Sequence, residues 1–242
     1  MGNSQRVKIL FGACLLILSA GWAGCLKTNS TPPPTDANKS TYIVLMNLAP
    51  YSPPTEVYLN DVKSTPAIPA GTVSSAYAHI APAAYDVKFK VAGGDSLLSE
   101  IPAASYDSMS FYTLILYNDS VKGPARSARI SDNYSMVTVG NAYYRFIHMC
   151  PEEPPVDLYL NGNLMQQHRT LADILSNQTN GWFQALPPSS YSLQLKKAGT
   201  DSVIYSASNI GLLAGNAYTF FLSGSAGSST DPISVGILKA AY

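Results

Sequence analysis

Charge is scarce in this sequence. Asp, Glu, Lys and Arg make up 12% of its 242 residues, against about 25% in ordinary soluble proteins. Basic and acidic residues balance at 15 each. With no basic stripe to neutralise phosphates, a nucleic-acid partner is not expected. Histidine occurs three times, as His79, His148 and His168. No His-Glu-x-x-His, Cys-x-x-Cys or Asp-x-Asp-x-Asp pattern is present, so no zinc or calcium loop is written here. His148, Glu152, Glu153 and Asp157 lie close in sequence. A strand residue, an acidic loop and a carboxylate bonding local backbone account for them without a metal. A Gly-x-Ser-x-Gly elbow, a phosphate-binding loop and a dinucleotide pattern are all missing, and Gly224 to Ser229 reads as an ordinary Gly/Ser loop. Neither a cofactor nor a catalytic residue is expected. Beyond Cys25 no run reaches 18 apolar residues, the length that marks a membrane-spanning helix. Apolar residues nevertheless make up 46% of the chain, which argues against wholesale disorder.

The N-terminus reads as an address. Arg6 and Lys8 open the chain, and Ile9 to Gly24 follows as 16 residues without a charge. A spanning helix needs about 20, so this run fits the apolar region of a secretory signal better. It ends Trp22-Ala23-Gly24-Cys25. Small residues directly before a cysteine resemble a bacterial lipobox, with Trp22 standing where Leu is usual. The resemblance implies a lipoprotein signal over residues 1–24, cleavage before Cys25 and lipidation of that cysteine. A plain signal peptide cut nearby, or an uncleaved anchor, is the other reading. The expected partner of this end is a membrane, reached through the lipid, and the expected location is the bacterial envelope, at the outer membrane. Residues 25–40 form a tether in which Pro32-Pro33-Pro34 favours an extended polyproline rod of about 3.1 Å per residue.

Of the three cysteines, Cys14 leaves with the signal and Cys25 is acylated, so Cys150 stands alone. No internal disulfide is then available, and stability has to come from apolar burial. Cys150 itself is expected to be a buried small hydrophobe. Once Arg6 and Lys8 are removed, 13 basic residues face 15 acidic ones, too small an imbalance for electrostatic steering.

The rest of the chain is one unit written twice. Asn47-Leu48-Ala49-Pro50 aligns with His148-Met149-Cys150-Pro151, and the segment Pro53 to Asp61 with Pro154 to Gly162. Further on, Tyr85 aligns with Tyr191, Asp95-Ser96 with Asp201-Ser202, and Tyr112-Thr113 with Tyr218-Thr219. The second copy therefore holds a short insertion between Asn161 and Tyr191. Residues 41–138 and 139–242 are the expected repeats, each long enough to carry its own core.

Each repeat reads as strands. Val57-Tyr58-Leu59 and Val156-Asp157-Leu158-Tyr159-Leu160 alternate with period two, one face buried and one wet. Asn60-Asp61 and Asn161-Gly162 supply hairpin turns, and Asn-Gly is the stronger signal. Phe111 to Tyr117 and Ala217 to Leu222 are near-continuous apolar runs, suited to strands covered on both faces. Helical spacing appears only at Leu171, Ile174 and Leu175, which predicts a short helix over His168 to Ser176 to absorb the insertion. The fold class is all-β, two tandem β-sandwiches.

An early strand ending Asn-x-x-Pro, then Pro-x-x-Asp-x-Tyr-x-Asn-Gly, then a late Gly-x-x-Tyr-Thr, resembles the family called domain of unknown function 4397. The second copy fits best, through Pro154, Asp157, Tyr159, Asn161-Gly162 and Gly215 to Thr219; the first departs from it, with Glu56 for the Asp and Asp61 for the Gly of the turn. The resemblance implies immunoglobulin-like sandwiches on secreted or lipid-anchored bacterial proteins. It supplies no catalytic residue.

Tyrosine is abundant, at 16. Alternation turns Tyr58 and Tyr159 away from the aliphatic face, so these two, with Asp157, are the candidate ligand-binding residues; β-propensity alone is the plainer account of them. Glu56 and Asp157 would have to meet across an interface to work as a hydrolytic pair. Trp182-Phe183 matches Ala76-Tyr77 and is expected in the core. The expected function is a lipid-anchored binding or interaction module of the envelope, taking a glycan or a partner protein. The alternative is a passive structural spacer, with an envelope hydrolase third.

Overall fold

The computed structural model describes residues 39–176, 180–229 and 231–240, all within one compact unit. The signal segment, Cys25 and all but the last two residues of the tether lie outside the described residues.

The first copy contains β1 (Thr41–Leu48), β2 (Thr55–Leu59), β3 (Val62–Lys63), β4 (Thr72–Val73), β5 (Ala78–Ile80), β6 (Ala83–Val91), β7 (Leu97–Tyr106), β8 (Phe111–Asn118) and β9 (Ala125–Asp132). The second contains β10 (Ala142–His148), β11 (Val156–Leu160), β12 (Asn163–Arg169), β13 (Gln184–Leu186), β14 (Ser189–Lys197), β15 (Val203–Leu212), β16 (Ala217–Ser223) and β17 (Ser234–Ala240). Each copy is a two-sheet sandwich. In the first, β4-β1-β8-β9 faces β3-β2-β6-β7, with β5 also paired to β1; in the second, β13-β10-β16-β17 faces β12-β11-β14-β15. The first strand of each copy runs parallel to the penultimate one, β1 beside β8 and β10 beside β16. The remaining pairs are antiparallel. The chain is thus all-β, built as two sandwich repeats.

The hairpin turns follow from the residues at their tips. Asn60 and Asp61 have φ of 48° and 62°, Asn161 and Gly162 of 48° and 77°. Positive φ at both central positions is the type I′ turn, whose twist matches the flanking strands.

Burial explains why the central strands are apolar on both sides. On β8, Tyr112, Leu114 and Leu116 pack into the first copy's own core with Val57, Val87 and Phe89. On β16, Tyr218, Phe220 and Leu222 do the same in the second copy with Leu158, Leu193 and Leu195. The alternate residues form a third cluster that joins the copies: Val44, Met46, Leu48, Ile115 and Tyr117 from the first, Tyr143, Ile147, Met149, Ala217, Phe221 and Leu238 from the second. The order of layers is therefore outer sheet, inner sheet, inner sheet, outer sheet. A single apolar seam lies between the two inner sheets.

Equivalent residues meet across this seam, as in the self-complementary interface of a symmetric dimer. Tyr51 and Glu152, 101 residues apart, are hydrogen-bonded to each other. That separation is the repeat offset, so the copies are related by a pseudo-twofold axis.

The expected helix over His168 to Ser176 is corrected. His168 belongs to β12, and only Leu171–Leu175 turns, as a 3₁₀ segment. Ile174 is buried in the seam cluster, but Leu175 is 80% exposed. The physical reason is length. The insertion is mostly taken up by β12, which has 7 residues where β3 has 2. What remains is too short for a nucleated α-helix, and Asp173 closes it by accepting from Thr170 N and Oγ1 at 3.0 and 3.1 Å.

Candidate functional site

The residues shared by both copies hold the fold. Asn47 Oδ1 accepts from Ala49 N at 3.3 Å, and His148 Nδ1 accepts from Cys150 N at 3.3 Å. Each side chain thereby turns the backbone into the following proline. Glu56 and Asp157, buried at equivalent places, each accept from the glycine of the neighbouring hairpin: Gly93 N at 3.3 Å and Gly199 N at 2.9 Å. Asp157 also accepts from His168 N at 2.7 Å, so both of its oxygens are committed to backbone. Asn60 and Asn161 accept from Asp86 N and Ser192 N at 3.0 and 2.8 Å. Tyr112 and Tyr218 accept from the backbone N–H five residues upstream, at Asp107 and Leu213, the geometry of a tyrosine corner.

Tyr58 and Tyr159 are half-buried. Each ring is covered by a lysine, Lys90 Nζ 4.5 Å from one centroid and Lys196 Nζ 4.6 Å from the other. A cation over the ring face contributes about 0.5–1 kcal/mol at such sites and occupies the surface that a ligand would need. Tyr58, Tyr159 and Asp157 line neither of the two pockets described below.

His148 is buried, with Nε2 3.2 Å from the Pro154 carbonyl oxygen. With Nδ1 accepting, Nε2 carries the proton, and the ring is neutral. Desolvation pushes its pKa below the ordinary 6.5. Between that lowered value and 6.5 the unfolded chain binds a proton that the folded chain excludes. This contribution to stability is intact above 6.5 and declines on acidification. Urea midpoints measured from roughly pH 7.5 to pH 5.5 should fall in the native chain and fall less in His148→Gln.

Cys150 is fully buried, its thiol directed at the Gly224 carbonyl oxygen at 3.4 Å. Burial raises its pKa to about 11. Little thiolate forms near about pH 8, so the thiol should resist alkylation until the chain unfolds. Peptide mapping after iodoacetamide treatment, with and without urea, checks this.

The copies differ most at the seam. On β10, Arg145 stands where β1 has Val44, and its side chain crosses into the first copy. Its Nη1 donates to Asp132 Oδ1 at 2.5 Å and to the Asn180 carbonyl at 2.8 Å. Nη2 donates to Thr113 Oγ1 and Nε to Thr219 Oγ1, both at 2.9 Å. Thr113 and Thr219 are equivalent residues, so the guanidinium bridges the pseudo-twofold axis. Asp132 also accepts from Tyr77 OH at 2.5 Å and Thr113 Oγ1 at 2.7 Å. Phe183 covers the guanidinium at 4.6 Å. Desolvation opposes the charge on Arg145, but the Asp132 carboxylate outweighs it and the pKa is raised. Thr113 and Thr219 belong to the repeat motif, but no motif pointed to Arg145 or Asp132. The available signal was a lone arginine within the apolar run Ala142 to Ile147.

This ion pair backs onto an open groove of about 630 Å³, within the roughly 300–1,000 Å³ of small-molecule sites. One side comes from the first copy, between the β7–β8 loop and the end of β9. The other is Gly181-Trp182 of the second copy, stitched to the first by Asn133 N donating to the Gly181 carbonyl at 2.8 Å. Tyr134 lies in this lining, stacked on Phe183 at 5.0 Å and edge-on to Phe111 at 5.0 Å. The expected Trp182-Phe183 core pair is divided: Phe183 is in the seam, whereas Trp182 is 49% exposed at the groove. A second open pocket of about 540 Å³ lies at the other end of β8, where Tyr51, Lys122, Glu152 and Ser225 meet. There Glu152 accepts from Ala226 N at 2.9 Å, and hydrogen bonds from Ser225 and Tyr51 hold its carboxyl below the usual range.

Among the described residues no helix is long and apolar enough to cross a membrane, and no three His, Cys, Asp or Glu side chains gather as metal ligands. No curated protein matches the chain. The family described as "Domain of unknown function (DUF4397)" matches residues 41–159 and 142–236. The two matches start at the first strand of each sandwich, and the chain belongs to this family in two copies.

Proposed function

We propose that the chain is a lipid-anchored, non-catalytic binding module of the bacterial envelope, with its ligand surface on the fused pair of repeats. The observation that carries this reading is the seam groove, which neither copy could form alone. It is held rigid by the shared core and by the Arg145–Asp132 pair. A site on a pre-organised scaffold loses little conformational entropy on binding. The lipobox-like segment supports the anchor, and the shielding of Tyr58 and Tyr159 moves the expected contact surface to the groove.

Two measurements test this. Mass spectrometry of the mature N-terminus should find diacyl or triacyl lipid on Cys25, lost in Cys25→Ser. Purified full-length protein in detergent should co-sediment saturably with isolated cell envelopes. Linear, non-saturating sedimentation would remove the binding reading.

One observation favours a spacer instead: the apolar seam is continuous, so the two copies form one stiff body suited to holding another element away from the lipid. Absence of saturable envelope binding, together with confirmed lipidation, is the result that selects it.

A further inference from the structure

We infer that the seam groove is a carbohydrate subsite that takes a neutral glycan chain against Trp182; this rests on the binding reading above.

The lining has the chemistry a sugar chain asks for. A pyranose offers an apolar C–H face and a ring of hydroxyls. Trp182 supplies exposed aromatic surface, and Met109 in the same lining is 63% exposed. The Asp107 carboxylate, the Ser131 and Ser135 hydroxyls and the Asn133 amide nitrogen line the same groove. None of these groups has a hydrogen-bond partner among the described residues, so they can take up sugar hydroxyls without breaking an existing contact. No lysine or arginine lines the groove, which disfavours an acidic polysaccharide. The other carboxylate, Asp132, is already neutralised by Arg145, so the groove does not concentrate negative charge for a cation either. The open form admits a chain passing through rather than a small molecule enclosed.

The pseudo-twofold axis provides an internal control. Register places Asp132 opposite Phe111 and Ala240 opposite Ala217. The counterpart of this groove therefore has Ala217 for Phe111, Ala240 for Asp132 and, from the repeat alignment, Ala76 for Trp182. The shared motif residues of both copies are spent on turns, corners and, at Thr113 and Thr219, the Arg145 contact. Among the described residues, the exposed indole of Trp182 and the ring of Phe111 thus have only alanines at their counterpart positions.

The sequence contains two tryptophans, Trp22 and Trp182. In full-length Trp22→Phe protein, kept in detergent, indole fluorescence reports on the groove alone. Titration with neutral hexasaccharides (cellohexaose, xylohexaose, mannohexaose and maltohexaose) should give a saturable change with at least one of them. Calorimetry should find binding of that sugar weakened by about tenfold or more in Trp182→Ala and several-fold in Asp107→Asn, which tests the site without removing an aromatic residue. Three results overturn the inference: no saturable response to any neutral sugar, a response only to an acidic chain such as hexagalacturonate, or a response only to a synthetic peptide of residues 29–37, which would make the protein's own proline-rich tether the occupant. If the sugars fail while saturable, protease-sensitive envelope binding persists, the binding module stands and only the carbohydrate assignment falls.

Discussion

Replacing Arg145 with methionine is expected to lower folding stability by about 3–5 kcal/mol, because it strands the Asp132 carboxylate where water cannot reach it. The side chains of the pair are 2% and 0% exposed, so solvent screening offers no relief. For a body of this size each kcal/mol corresponds to about 2–4 °C, and the thermal midpoint should fall by roughly 6–20 °C. The double variant Arg145→Met, Asp132→Asn should recover a large part of the loss. It removes the unpaired charge and keeps an acceptor for Tyr77 and Thr113. Guanidinium unfolding curves of the native chain and both variants decide the matter. A single-variant loss below about 1 kcal/mol, the value typical of an exposed pair, would show that the interaction is not buried as described.

The second large effect concerns Phe221 and Gly236, which sit opposite each other on β16 and β17. A Cβ placed on Gly236 would lie 2.0 Å from Phe221 Cζ, so the glycine leaves room for the ring. Phe221→Ala should cost about 3–5 kcal/mol through lost burial and the cavity left in the seam. Gly236→Ala should cost about 1–3 kcal/mol by forcing the ring aside. With the ring gone the added methyl has space, so the double variant should cost clearly less than the two losses combined. Because the seam joins both copies, each variant should still unfold in a single transition, seen alike by Trp182 fluorescence and far-UV circular dichroism. Additive losses, or two resolved transitions, would contradict the shared core.

What could be read from the sequence was what local chemistry determines. Asn-Gly specifies its turn through backbone dihedrals, and the alternation in Val57-Tyr58-Leu59 specifies which face is buried; both effects act within a few residues. The same holds for the apolar runs of β8 and β16, which announce burial on two faces. They do not name what covers the second face, because a covering sheet from the same copy and one from the other copy demand the same apolar side chains. The seam therefore stayed hidden, and with it the groove. Trp182 shows the limit clearly. The repeat alignment placed it beside Phe183 and opposite Ala76, but which of two adjacent aromatics faces solvent depends on how two distant strands are juxtaposed. Tyr58 and Tyr159 were legible as outward-facing, yet the lysines above them come from β6 and β14, whose pairing register lies beyond local reasoning. The predicted helix failed for a different reason: the segment was too short to nucleate, and of its three spaced residues Leu175 is left exposed.

The parallel pairing of β1 with β8 has a mechanical consequence. Seven consecutive register pairs, from Tyr42 opposite Phe111 to Leu48 opposite Tyr117, clamp the first strand of the body. Parallel ladders have evenly spaced bonds, so tension along β1 from the N-terminal end loads the whole row in shear, and the bonds must give way together. An antiparallel hairpin pulled from its open end would yield one bond at a time. A body pulled from that end is thus gripped at the point where traction enters, and the layers behind that strand are spared the load until it slips.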